Sequence, residues 1–149
     1  MNDNTSMKNN GTYVALRVKN SQQLIDFCLN QGIYPSKPEE LHVTIAYSRV
    51  EFNFVPAIKL LTIAPSNLKF GLLNGCLVLF ILNSIELAVE HQRTLEAGAT
   101  YDYPTYEPHS TILYDADDID IGSLAVPDFD LILGDEYVEP LDLDWVDNS

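Results

Sequence analysis

The hexapeptide HVTIAY at residues 42–47 recurs as HSTILY at residues 109–114, with four of six positions identical. Both copies are rich in β-branched and aromatic residues, and both follow loop prolines, Pro35 and Pro38 before the first, Pro104 and Pro108 before the second, so each reads as a strand. Side chains alternate along a strand, which sets His42 and Thr44 on one face and Ile45 and Tyr47 on the other. His109 and Thr111, against Ile112 and Tyr114, repeat the arrangement. Each strand thus offers an imidazole and a hydroxyl to one surface and an apolar face to the opposite side.

Outward from these copies, Thr12–Val18 reads as a first strand. Ser21 reads as the N-cap of a short amphipathic helix, Gln22–Gln31, that carries Leu24, Ile25 and Cys28 and stops at Gly32. Strands are expected at Ile58–Ile63, Leu68–Leu73 and Cys76–Leu82, the last two joined by Asn74-Gly75, the strongest short hairpin signal. Asn83 with Glu86 resembles a capping pair for a helix whose face holds Ile85, Leu87, Ala88, His91 and Leu95 until Gly98. Leu131–Val138 reads as the last strand. Some seven strands and two helices in two β-α-β runs, each with one hexapeptide, imply an α+β fold of two similar halves. The 149 residues suit a single domain, with residues 1–10 as a tail.

The longest apolar run, Cys76–Leu82, is too short to cross a bilayer, and MNDNTSMKNN lacks the apolar core of a secretory signal. Cys28 and Cys76 fit two reduced, packed thiols of a cytosolic protein. Net charge is −14, and all eight Lys and Arg lie at or before Arg93, whereas 15 of the 22 acids follow it. Such a surface repels long DNA or RNA but leaves room for a small nucleotide in a local pocket; the acidic end itself reads as a solvated face. The three histidines lack zinc-ligand spacing, and Asp115, Asp117, Asp118 and Asp120 lack the Gly and terminal Glu of a calcium loop, so neither metal nor cofactor is expected. His91 reads as a helix-surface or packing residue. Tyr101, Tyr103 and Tyr106 fit either a lid near His109 or a plain surface loop.

If the two strands lie side by side, two His and two Thr converge on one cleft. Two imidazoles near neutral pH supply a general base and a general acid together, and hydroxyls donate to non-bridging phosphate oxygens. A 3'-5' ribonucleotide linkage fits this set: one His removes the 2'-OH proton, and the other protonates the leaving 5'-oxygen. The near symmetry of the halves leaves open which does which. Ser and Thr together make 17 of 149 residues, so a hydroxyl two places after two of three histidines has odds of roughly one in thirty by chance. The shared Ile and Tyr make coincidence less comfortable still.

Two His-x-Thr strands in a small duplicated domain resemble the two-histidine (2H) phosphoesterase superfamily. The blocks GTYVAL at 11–16, LHVTIAYSR at 41–49, EPHSTILYD at 107–115 and EPLDLDWV at 139–146 are most similar to the phage anti-CBASS cyclic-nucleotide nucleases. The resemblance implies two antiparallel-sheet lobes with a helix each around a central cleft, with His42 and His109 as the catalytic pair and Thr44 and Thr111 holding the phosphate. It implies that Tyr13 and Trp145 stack on a nucleobase while Glu139 reads its edge. From the residues alone, Tyr13 fits a packed strand position equally well, and Glu139 fits one more solvated acid. The implied substrate is a cyclic di- or trinucleotide messenger of bacterial antiphage defence, cut without metal in the host cytoplasm during infection, with no long nucleic acid and no membrane as partner. Two other readings stay open, a 2H phosphodiesterase for RNA ends or 2',3'-cyclic phosphates and a non-catalytic cyclic-nucleotide sponge.

Overall fold

A computed structural model of the chain describes residues 10–142. Its strands are β1 (Asn10–Val18), β2 (His42–Ser48), β3 (Leu60–Ile63), β4 (Leu68–Leu73), β5 (Cys76–Ile81), β6 (His109–Leu113) and β7 (Leu131–Asp142), with helices α1 (Ser21–Leu29) and α2 (Ile85–Glu96). The strands form two antiparallel sheets, ordered β2-β1-β7-β3 and β4-β5-β6. Each hexapeptide therefore lies on an edge strand, and β2 and β6 lie against each other. The loop before β2 joins the lobes, because Ser36 donates its backbone N–H to the Ile112 carbonyl at 2.9 Å. One hydrophobic cluster runs beneath both sheets, from Val14, Leu16 and Ile45 to Leu77, Leu79, Ile112 and Leu131. The α+β, two-lobed 2H phosphoesterase-like arrangement is the one expected.

Local chemistry explains most elements. Asn74 and Gly75 both have positive φ, 51° and 79°, so the β4–β5 hairpin turns through two left-handed residues, as its Asn-Gly pair demands. Both helix starts fall one residue from the expected cap. Asn20, not Ser21, precedes α1, and its side chain accepts from Ile132 N–H and donates to the Asp130 carbonyl, which ties the helix start to β7. Ser84, not Asn83, caps α2 by accepting the Leu87 N–H at 3.2 Å.

The buried face of α2 also differs from the apolar pattern. It consists of Leu87, Glu90, His91 and Thr94, while Ile85 is 76% exposed. These four recur at i, i+3, i+4 and i+7, one face of a helix, and the polar members bury because each has a partner. Thr94 donates to the His91 carbonyl, Glu90 pairs with Arg93, and His91 bonds across to β2. The last strand runs past its expected end at Val138 through Pro140. β3 pairs only with Leu131 to Gly134, so at Pro140 that side of β7 has no ladder bond to lose.

Candidate active site

The two hexapeptide strands carry the same irregularity. In β2 the register skips between Ala15↔Thr44 and Val14↔Ala46, which makes Ile45 the extra residue of a bulge. In β6 it skips between Val78↔Thr111 and Leu77↔Leu113, and Ile112, the equivalent residue, is extra. Both isoleucines are buried. The bulge corrects the expected alternation. Tyr47 does not share the apolar face with Ile45; it pairs with Tyr13 and lines a cavity together with Thr44 and His109. Tyr114 lies beyond the end of β6 and is exposed, with Lys37 over its ring.

Each catalytic candidate is anchored in the same way. His42 Nδ1 lies 2.5 Å from the Glu40 carbonyl oxygen, and His109 Nδ1 lies 2.7 Å from the Glu107 carbonyl oxygen. A carbonyl only accepts, so each Nδ1 carries a hydrogen, and Nε2 is the end left for chemistry. The sequence held a signal for this: the repeat extends two residues upstream, as Glu-x-His-x-Thr-Ile-x-Tyr from Glu40 and from Glu107. It is the backbone of these glutamates, however, that holds the rings.

Around His42, the Tyr13 ring meets the imidazole edge-on with centroids 6.0 Å apart, and the Tyr13 hydroxyl lies 2.9 Å from Thr44 Oγ1. Burial raises the Tyr13 phenol well above its ordinary pKa, so it stays protonated and able to donate. Glu139 sits opposite Tyr13 in the β1–β7 ladder, and the two line a cavity of about 400 Å³ with Arg17, His42 and Tyr137. Arg17 lies over the Tyr137 ring at 4.2 Å. Sequence reasoning missed both, although Arg17 falls four residues after Tyr13 and strand alternation sets such residues on one face.

Around His109, Phe80 approaches the imidazole edge-on at 6.1 Å. Phe80 lies so close to β4 that a Cβ on Gly71 would come within 2.5 Å of its ring. Thr44 of β2 and His109 of β6 line one cavity of about 290 Å³, so residues of both repeats meet at one surface. Thr111, half-buried, shares the His109 face of β6, whereas Ser110 and Ile112 between and beyond them are buried. Trp145 lies outside the described residues.

The third histidine has a different task. His91 is 7% exposed, stacks on Tyr106 at 4.1 Å with rings 8° from parallel, and bonds the Ile45 carbonyl through Nδ1 at 2.8 Å. The packing reading of the sequence holds for it, not the helix-surface one. Burial lowers its pKa, which keeps it neutral. Tyr106 in turn donates its hydroxyl to the Thr44 carbonyl at 2.6 Å. The bulged part of β2, which carries Thr44, is thereby held from behind by α2 and the tyrosine-rich loop.

The fold is 2H phosphoesterase-like. Among solved structures, E. coli LigT complexed with NADP+ superimposes with a TM-score of 0.58 at 16% identity, covering 87% of this chain and 94% of that one. The particular family follows from sequence: the model for "Anti-CBASS protein Acb1" matches residues 10–148, and the chain belongs to that family. It is 33% identical to the anti-CBASS protein of Acinetobacter phage Ac42, over 91% of this chain and 93% of that protein. It is 34% identical to that of Enterobacteria phage T4, over 76% and 75%. A relative from Caulobacter sp. is longer, and the matched region spans 23% of it.

Proposed function

We propose that this protein is a phosphodiesterase that opens cyclic di- and trinucleotide messengers by general acid–base catalysis, with His42 and His109 as the working pair. One observation carries the reading: two imidazoles on neighbouring edge strands, each with Nδ1 held by a carbonyl two residues upstream, so that both Nε2 atoms are left for the substrate. In the first step one neutral Nε2 takes the 2'-OH proton as the O2'–P bond forms. The other imidazole, protonated, gives its Nε2 proton to O5' as the P–O5' bond breaks. The products are a 2',3'-cyclic phosphate and a free 5'-OH, and the two imidazoles have exchanged protonation states. Water then adds to phosphorus with the roles reversed, the P–O2' bond breaks, and a linear 3'-phosphate remains. Each proton transfer is worth about a hundredfold to ten-thousandfold, and the tethered 2'-OH adds the advantage of an intramolecular nucleophile.

The hydroxyls of Thr44 and Thr111 hold the non-bridging oxygens. Tyr13 supports Thr44 in this: if its phenol donates to Oγ1, the threonine proton is left for the phosphate. The Tyr13–Glu139 cavity suits a nucleobase, with Tyr13 stacking and Glu139 accepting from an exocyclic amine; Trp145, outside the described residues, is the second stacking ring that the family resemblance implies. Arg17 adds a positive charge to the lining of that cavity. Among the described residues no helix is long and apolar enough to cross a membrane, in keeping with action on a dissolved messenger in an infected bacterium. Family membership supplies the biological sense: destroying the messenger silences the host alarm.

The test is to incubate the pure protein with EDTA and a panel of cyclic di- and trinucleotides and to resolve the products. Linear products ending in a 3'-phosphate support the proposal. Tight binding with the ring intact indicates a sponge, and turnover confined to linear RNA ends indicates the other phosphodiesterase; either result overturns it.

A further inference from the structure

A phosphodiester joins two nucleosides, so a site that cuts one has a base to accommodate on each side of the scissile phosphorus. The Tyr13–Glu139 cavity beside His42 receives one of them. On the His109 side, the 290 Å³ cavity is lined by four phenol rings, those of Tyr47, Tyr101, Tyr103 and Tyr106, together with Thr44, His109 and the acids Asp102 and Glu107. A cavity of about 380 Å³ adjoins it along Tyr101, Tyr103 and His109. We infer that the tyrosine-rich loop is a second nucleobase subsite, which takes the nucleoside on the far side of the scissile phosphate; this rests on the phosphodiesterase reading above.

The floor of this subsite is already built. Tyr106 is fixed by its bond to the Thr44 carbonyl and by stacking on His91. Tyr101 packs edge-on against the same imidazole at 4.5 Å and edge-on against Tyr103 at 5.7 Å. Tyr103 itself stands at the rim, 61% exposed. Rings held by these contacts, with one open ring at the rim, offer stacking surfaces whose order is already in place before a base arrives. The loop is also tethered to β2 from outside. Arg49 grips the Asp102 carboxylate with bonds of 2.9 to 3.2 Å, and Thr100 Oγ1 accepts the Arg49 N–H at 2.8 Å. That grip commits Asp102 to the loop, which leaves the ring faces and the Glu107 carboxylate to meet the base, and stacking tolerates any base because each has a π-face.

The experiment compares two substrates with the same chemistry at phosphorus: cyclic di-AMP, which has a base on both sides, and adenosine 3'-(methyl phosphate), which has one. For Tyr103→Ala the ratio of kcat/KM on cyclic di-AMP to that on the methyl ester falls about tenfold to a hundredfold, mainly through KM, while Tyr103→Phe keeps the wild-type ratio. Because Tyr103 is exposed, its truncation leaves the core untouched. An unchanged ratio in Tyr103→Ala, or an equal loss in Tyr103→Phe, overturns the subsite and leaves the catalytic reading intact. Failure of the wild-type protein to cleave either ester overturns the catalytic reading and the subsite with it.

Discussion

β2 and β6 share a hexapeptide, a bulge at the same isoleucine and the same carbonyl anchor for the imidazole, yet their surroundings differ. Behind β2, His91 and Tyr106 cap the carbonyls of Ile45 and Thr44, and Tyr13 reaches Thr44 from the neighbouring strand. Beside β6, His109 meets Phe80 edge-on, and a loop of tyrosines forms the wall. Repetition is strict at the hydrogen-bonding ends of the two imidazoles and lost in the walls around them, where we propose that each half meets a different part of the ligand. A reaction that needs one base and one acid of similar strength asks for two alike groups, whereas two nucleosides leaving in opposite directions ask for unlike walls.

The strongest way to break this comparison is to remove one histidine at a time. His42→Ala and His109→Ala should each lower kcat by about a hundredfold to ten-thousandfold, and the double variant should fall well short of the product of the two losses, because the pair acts as a unit. Steady-state rates on a cyclic dinucleotide check this. Near-normal activity in one single variant would mean that the halves are alike in sequence only.

Next comes the support behind β2. His91→Leu leaves the Ile45 carbonyl without its partner and should cost about 1–3 kcal/mol in urea unfolding, with a matching loss of activity. Loss of stability with full activity would detach that brace from the chemistry.

The first sheet also contains a buried carboxyl that sharpens the contrast in a different variable. Glu136 accepts N–H bonds from Ala57 and Ile58 through Oε1, while its Oε2 is buried without a hydrogen-bond partner and Glu90 lies nearby, itself held ionised by Arg93. Burial, reinforced by Glu90, pushes Glu136 up to about 7. A carboxyl raised in the folded state stabilises fully below its unfolded value near 4.5, and that contribution disappears as pH rises through 7. Glu136→Gln should therefore flatten the loss of stability between pH 5 and 8 and gain about 1–3 kcal/mol at pH 8 relative to wild type. Thermal melts across that range provide the check, and an unchanged slope would contradict it. The smallest effect is expected from Tyr13→Phe, which removes only the hydroxyl at Thr44 and should reduce kcat/KM about twofold to tenfold.

What the sequence made legible is the part dictated by neighbours in the chain. The His-x-Thr strands, the Asn74-Gly75 hairpin and the α1 apolar residues follow from local pattern and turn chemistry. What it hid depends on partners far along the chain. The orientation of Tyr47 turns on a bulge defined only against β1. The polar face of α2 buries because His91 finds the Ile45 carbonyl, 46 residues away, and β7 runs on past Pro140 because β3 has already ended. Within the candidate site, the histidines were readable because the same His-x-Thr-Ile-x-Tyr motif occurs twice in the chain. Arg17, Tyr47 and Tyr137 were not, since each looks like an ordinary strand residue until the cavities form.

The most direct test of the central claim is a crystal structure of the protein with a cyclic dinucleotide whose 2'-hydroxyls are replaced by hydrogen, which cannot be cleaved by this route. The account predicts one phosphodiester between the two rings, with His42 Nε2 beside the 2'-carbon and His109 Nε2 within hydrogen-bond reach of O5', or the reverse assignment. A phosphodiester touched by only one imidazole, or by neither, would contradict it.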